Sequence, residues 1–220
     1  DGIRDFCLSR GLGDVYKRQV RQYSADYIKG FLDKLTSDYK FEAIYFEDDT
    51  FNIGNKHTVE ISKVAGKYNI PWFAMCRADT CKKENWKIMR DNGCKGVKIG
   101  IESGSQYVVD KIVNKHLDLD YTNQLVDHLR SLNMSVHGTF TYGLPGETKE
   151  QMLQTKEFIK RTNFNTVQES GTAEIEGTPL HTLNTKDLKN YPGASINTEY
   201  DRQKDGGKKW QSLVKSLQDN

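Results

Sequence analysis

Four short stretches carry residue types that can do chemistry: Glu47-Asp48-Asp49, Arg77 with Asp79, Glu102-Ser103, and Gly143-Leu144-Pro145-Gly146-Glu147. Carboxylates suit an ammonium group or a hard cation. A guanidinium grips a carboxylate through two parallel hydrogen bonds. An acidic side chain can accept the two hydroxyls of a ribose. Gly143 and Gly146 let backbone approach a flat ring closely. Together the four fit a ligand with an amino-acid end, a sugar and a planar base, provided one edge of the fold collects them. Two other readings stay open. One is a rim of solvated loop charges. The other is a divalent cation site of Glu47, Asp48, Asp49 and Glu102, whose oxygen-only donors suit magnesium or manganese. His137 could join such a site, although a single His in an apolar strand is more often a hydrogen-bonded structural residue.

The elements around these stretches supply the common edge. Residues 96–105 begin as a strand, with Val97, Ile99 and Ile101 alternating, and end in the polar turn Glu102-Ser103-Gly104-Ser105. A helix pattern follows, with Tyr107, Val108, Val109, Ile112 and Val113 as its apolar residues. The same order recurs along the chain. Ser24 caps a helix carrying Tyr27, Ile28, Phe31, Leu32 and Leu35. Strands are expected at Phe41–Phe46, Trp72–Met75, Ser135–Tyr142 and Asn165–Ser170. Helices are expected at His57–Tyr68, Lys83–Asp91, Asp120–Leu132 and Lys149–Arg161, with a last one at Lys208–Leu217. Strands that alternate with helices imply parallel strands and right-handed crossovers, so the strands' carboxyl ends share one rim. Ligands of such folds bind where those ends run into their turns. A zwitterionic amino acid, a ribose and a flat base on that rim describe S-adenosylmethionine. About five strands make either an open sheet or part of a barrel, and the strand count does not separate the two.

Composition narrows the classes. The 220 residues suit one domain with an appendage. A net charge of +2 gives no field that argues for nucleic acid. No apolar run approaches the ~18 residues of a membrane span, and without a secretory signal the default location is cytoplasmic. The four cysteines, Cys7, Cys76, Cys81 and Cys94, form no disulfide framework. Zinc at Cys76, Cys81 and Cys94 would need a fourth ligand, so buried or incidental thiols are the simpler expectation.

Residues 1–19 do not fit the rest. Their glycines break any helix, and Gly11-Leu12-Gly13-Asp14-Val15-Tyr16-Lys17-Arg18-Gln19 resembles the translated adaptor read-through found in metagenome-derived sequences. The expectation is a sequencing artefact over 1–19, a fold over 20–183, and a loop-plus-helix extension over 184–220.

Four motifs in order carry a family resemblance: Ile44-Tyr45-Phe46-Glu47-Asp48-Asp49-Thr50-Phe51, Arg77-Ala78-Asp79, Gly100-Ile101-Glu102-Ser103-Gly104-Ser105, and Tyr142-Gly143-Leu144-Pro145-Gly146-Glu147-Thr148. They resemble the radical S-adenosylmethionine (radical SAM) enzymes, in the branch with cobalamin-binding and methylthiotransferase-like members. Gly177-Thr178-Pro179-Leu180 matches a turn common there. The resemblance implies an α/β fold, a partial (β/α)6 TIM-like barrel whose first strand is missing. It implies reductive cleavage of S-adenosylmethionine at a 4Fe-4S cluster, giving a 5′-deoxyadenosyl radical. It puts Glu47, Asp48 and Asp49 at the amino group, Glu102 and Ser103 at the ribose and methionine portion, and Gly143 and Gly146 near the adenine. Arg77 as a carboxylate clamp is an electrostatic inference. The family's C-x-x-x-C-x-x-C cluster loop is absent, so the expectation is a truncated, inactive fragment of an enzyme, with no catalytic residue and no metal ligand of its own. Whether a cobalamin domain precedes the segment is left open, as are the small-molecule or macromolecular substrate and the oligomeric state. The alternatives are a divalent-metal lyase or hydrolase and a non-catalytic binding module.

Overall fold

The computed structural model describes Val20 and residues 22–172. The expected artefact, the Gly177–Leu180 turn and the Lys208–Leu217 helix therefore lie outside the described residues. Within them the elements alternate: α1 (Ala25–Asp38), β1 (Ile44–Phe46), α2 (Asn55–Gly66), β2 (Trp72–Cys76), α3 (Lys83–Asp91), β3 (Cys94–Glu102), a π-helical turn (Val108–Ile112), α4 (Leu119–Ser131), β4 (Ser135–Tyr142), α5 (Lys149–Arg161) and β5 (Thr166–Gly171). The helix starts are set by side chains. Ser24 accepts from the Tyr27 N–H, Asp118 accepts from the Tyr121 N–H, and Thr148 and Gln151 form a reciprocal capping box. Gly93, with φ +94, ends α3 in the left-handed conformation that glycine takes freely.

All five strands are parallel and lie in the order β1-β2-β3-β4-β5. That order answers what the strand count left open. A doubly wound sheet reverses its strand order partway. Sequential order with right-handed crossovers keeps every helix on one face, which is the winding of a TIM-like barrel. The burial pattern agrees. Trp72, Ala74, Val97, Ile99, Val136, Phe140 and Tyr142 on one face of the sheet share a single apolar core with Ile61, Trp86, Met89, Leu125, Leu129, Met152 and Phe158 of the helices. Phe46, Phe51 and Trp72 close this layer at one end, and Phe140, Phe158 and Phe164 close it at the other.

Three expectations need correction. β1 is three residues, Ile44–Phe46, because its ladder to β2 starts only where the Ile44 N–H reaches the Pro71 carbonyl. The helix expected after Ser105 is a five-residue π-helical turn. Tyr27 and Phe31 on α1 stay exposed, and only Leu32 of that helix is buried.

Candidate functional site

The carboxyl ends of β1 to β4 deliver the four stretches to one rim, as parallel pairing requires. β3 delivers Glu102 in an unusual way. Gly100 pairs with Thr139 and Glu102 with Phe140, so two residues of β3 oppose one of β4, which is a β-bulge. Glu102 itself has φ +73, a conformation that non-glycine residues seldom adopt. Its side chain, 11% exposed, pairs with Lys115, 10% exposed, at 3.0 Å between Oε1 and Nζ. Thr141 Oγ1 donates to Oε2 at 3.2 Å. A Cβ on Gly100 would sit 2.9 Å from both Glu102 Oε1 and Lys115 Nζ, so glycine there makes room for the pair.

Lys115 is the residue that sequence reasoning missed. It follows the π-helical turn, and it sits between Asn114 (φ 55) and His116 (φ 51), both left-handed. Its N–H reaches back to the Val109 carbonyl at 2.9 Å. π-turns and non-glycine residues with positive φ gather where a side chain must be held against local preference. The signal in the sequence is Asn114, one of the residue types that tolerate this conformation.

Arg77 joins the same network. Its Nε and Nη2 donate to both oxygens of Asp79 at 2.9 and 2.7 Å, and Nη2 also donates to the Lys115 carbonyl at 3.1 Å. The two-pronged grip expected for a ligand carboxylate is thus made on Asp79. Asn52, fully buried and also unforeseen, fixes this corner by donating to the Arg77 carbonyl at 2.7 Å and accepting from the Arg77 N–H at 3.0 Å.

Ser103 turns away from the rim network. Its hydroxyl shares a hydrogen bond with Thr155 of α5 at 3.0 Å and accepts from the Ser105 N–H at 3.1 Å. Gly143 and Gly146 have φ +74 and +86, and the turn they form closes on Glu147. Glu147 Oε2 accepts from the N–H groups of Gly143 at 2.7 Å and Leu144 at 3.2 Å. Burial pushes the Glu147 carboxyl up to about 7. The Leu144 and Gly143 N–H groups oppose that shift, as does the Ser103 hydroxyl.

Glu47, Asp48 and Asp49 are exposed on the loop after β1, and no ion pair joins them to the network among the described residues. Partial burial, then the neighbouring Asp48, raises the Asp49 carboxyl. Among the described residues no three His, Cys, Asp or Glu side chains are grouped to hold a metal ion, so the oxygen-only cation site finds no support. Nor do the described cysteines suit an iron–sulfur cluster, because Cys76, Cys81 and Cys94 are not grouped as a set of three ligands. Burial raises the thiols of Cys81 to about 11, Cys94 to about 12, and Cys76 well above its ordinary value. No helix among the described residues is long and apolar enough to cross a membrane.

Comparison with known proteins identifies relatives of the chain and structures that share its fold. The chain is 26% identical over 74% of its length to cytidylyl-2-hydroxyethylphosphonate methyltransferase of Streptomyces wedmorensis, covering 32% of that protein. It is 29% identical over 54% of its length to the ribosomal protein uS12 methylthiotransferase RimO of Phocaeicola vulgatus, covering 28% of it. The chain therefore spans about a third of the curated relatives it matches. Among solved structures it resembles the radical S-adenosylmethionine methyltransferase TsrM of Kitasatospora setae, with cobalamin and a [4Fe-4S] cluster bound. The TM-score is 0.61 at 16% identity, over 68% of this chain and 31% of that one. It also resembles the radical SAM enzyme coproporphyrinogen III oxidase (HemN) of Escherichia coli, with a TM-score of 0.58 at 14% identity, over 90% of this chain and 45% of that one. The pattern of one family covers residues 5–159, well over half of the sequence, and by that match the chain belongs to the Radical SAM superfamily.

Proposed function

We propose that this chain is the part of a radical SAM enzyme that holds S-adenosylmethionine, and that Glu102 and Lys115 are its main polar contacts. The observation that carries this reading is the Glu102–Lys115 pair, nearly buried yet only partly used. An ammonium has three donors, and Glu102 takes one from Lys115. A carboxylate has about four acceptor positions, and Lys115 and Thr141 fill two of them on Glu102. An acid and a base with capacity left over, side by side, fit a ligand that has both ribose hydroxyls and a carboxylate.

Lys115 would neutralise the carboxylate of the methionine portion, and Glu102 would accept the ribose hydroxyls. Arg77 acts as a positioning residue, because Asp79 orients it and it holds the Lys115 carbonyl. The exposed acids Glu47, Asp48 and Asp49 would receive the ammonium group, and the backbone around Gly143 and Gly146 would lie along the adenine. An iron–sulfur cluster supplies the electron in this family's chemistry, and the described residues do not fit one. The reading therefore assigns this chain binding and orientation of S-adenosylmethionine, and no cleavage on its own. Cobalamin in TsrM and methyl or methylthio transfer in the named relatives motivate a transfer reaction for the enzyme to which this segment corresponds.

Calorimetric titration of the full chain with S-adenosylmethionine tests this. The expected result is saturable binding, weakened about tenfold or more by Lys115→Met and by Glu102→Gln, as loss of a charge-assisted hydrogen bond predicts. Binding that neither substitution changes would remove the pair from the site.

A further inference from the structure

The helix-free face of the sheet carries a charge that the S-adenosylmethionine reading does not use. Strand register places Met75, Lys98, His137 and Thr166 in one row across β2 to β5, and Gly100, Thr139 and Gln168 in the next row toward the rim. Val97, Ile99 and Val136 belong to the buried apolar core, so alternation turns Lys98 and His137 to the opposite face. In a closed strand barrel that face is filled by branched apolar side chains. Here it is polar for most of its width.

Lys98 has no carboxylate partner among the described residues. Its ammonium donates to the neutral Gln168 Oε1 at 3.5 Å. Glu169, the adjacent acid on β5, is turned to the helix side and pairs with Lys156 of α5. Glu102, nearer the rim, is engaged by Lys115. His137 shares a hydrogen bond through Nδ1 with Thr166 Oγ1 at 2.7 Å. Burial and the charge of Lys98 hold its imidazole below its ordinary pKa, and a hydrogen bond with Gln168 opposes them. Lys98, His137 and Gln168 thus form one cluster with a full positive charge, several donors and, among the described residues, no acid paired with it. Gly100 lies between this cluster and the rim, and the Glu102–Lys115 pair sits over it.

We propose that Lys98, His137 and Gln168 bind an anionic oxygen group of the substrate, a phosphate, phosphonate or carboxylate, on the helix-free face below the rim. This names the substrate class for the site read above as the S-adenosylmethionine site, and rests on that reading. Glu102 lies four residue steps along β3 from Lys98, ~13 Å of strand. A substrate anchored at Lys98 would therefore extend toward the rim, with its reacting end beside the bound cofactor.

The test follows the His137 imidazole by proton–nitrogen NMR in the full chain, at constant ionic strength, during titration with phosphate, methylphosphonate and acetate. The expected result is a saturable shift with at least one anion. Tighter phosphate or methylphosphonate binding would assign a phosphoryl or phosphonyl end, and tighter acetate binding a carboxylate end. Lys98→Met should weaken the response about tenfold or more. Gln168→Glu, which places an acid against Lys98 on a half-exposed strand, should abolish it, so the test does not hang on one variant's folding. No saturable shift with any of the three anions overturns the proposal, as does a shift that neither substitution changes. S-adenosylmethionine titrations of the same samples separate the two readings. An intact anion response without cofactor binding defeats the rim assignment alone, and cofactor binding without an anion response defeats this one alone.

Discussion

At the level of single residues, the site consists of groups held against their own preferences. Glu102 sits in left-handed backbone, and Lys115 is bracketed by two left-handed residues. Such strain costs roughly 1–3 kcal/mol at each residue and persists only when the surroundings enforce it. Glu102→Gly would relieve it locally but leave the nearly buried Lys115 without its carboxylate, so it should destabilise the fold, by less than Glu102→Ala does, while losing S-adenosylmethionine binding. Thermal melts and calorimetry on one preparation check both halves.

Glu147 makes a second prediction at this level. Its carboxyl is raised in the fold from an ordinary 4.5 to about 7, so the folded state holds its proton more tightly than the unfolded state does. The stability it contributes is fully present below pH 4.5 and is lost as the pH rises through 7. At ~1.4 kcal/mol per pKa unit, the difference across that window is roughly 3 kcal/mol. Glu147→Gln, which has no proton to lose, should flatten urea-unfolding free energies between pH 5 and pH 8. It should be the more stable form at pH 8. An unchanged pH slope would mean that Glu147 titrates normally.

Among the strands, helices and turns, close approaches decide what the loops can do. A Cβ on Gly104 would lie 2.5 Å from Phe158 Cβ and 2.6 Å from Thr155 Cα, so the turn after β3 is seated directly on α5. Gly104→Ala should destabilise by ~1–3 kcal/mol, the usual cost of overpacking. A Cβ on Gly30, in α1, would meet nothing within 4 Å, and Gly30→Ala should instead stabilise by ~0.5–1 kcal/mol through helix propensity. Opposite signs in denaturant midpoints would confirm the contrast. Asn52→Ala removes both hydrogen bonds to the Arg77 backbone and should cost ~1–3 kcal/mol.

The same elements show what the sequence made legible. Alternating Val97, Ile99 and Ile101 located β3, and the glycine and proline of the turn after β4 marked a sharp bend. Glu102 was placed at the rim because a strand end can be read from periodicity. Its partner was not, because the apolar spacing of Val108, Val109, Ile112 and Val113 suits an α-helix as well as a π-turn. Only backbone geometry shows that the chain then doubles back to bring Lys115 beside Glu102. Asn52 escaped notice because a buried amide clasping backbone has no periodic signature. Tyr27 and Phe31 misled for the opposite reason: helical spacing of apolar residues reports a face, and does not say that the face is covered.

Across the molecule as a unit, strand order decides the layout. Sequential parallel strands wind the helices onto one side, free the other face, and bring the ends of β1 to β4 to one rim. The free face holds Lys98, His137 and Gln168, and the rim above it holds the Glu102–Lys115 pair. Every functional assignment made for the rim requires S-adenosylmethionine to occupy it. A crystal structure of the full chain grown with S-adenosylmethionine decides this. Ribose hydroxyls on Glu102 and the ligand carboxylate on Lys115 are the expected result, and a ligand bound at the opposite ends of the strands, or on the helix side of the sheet, would refute it.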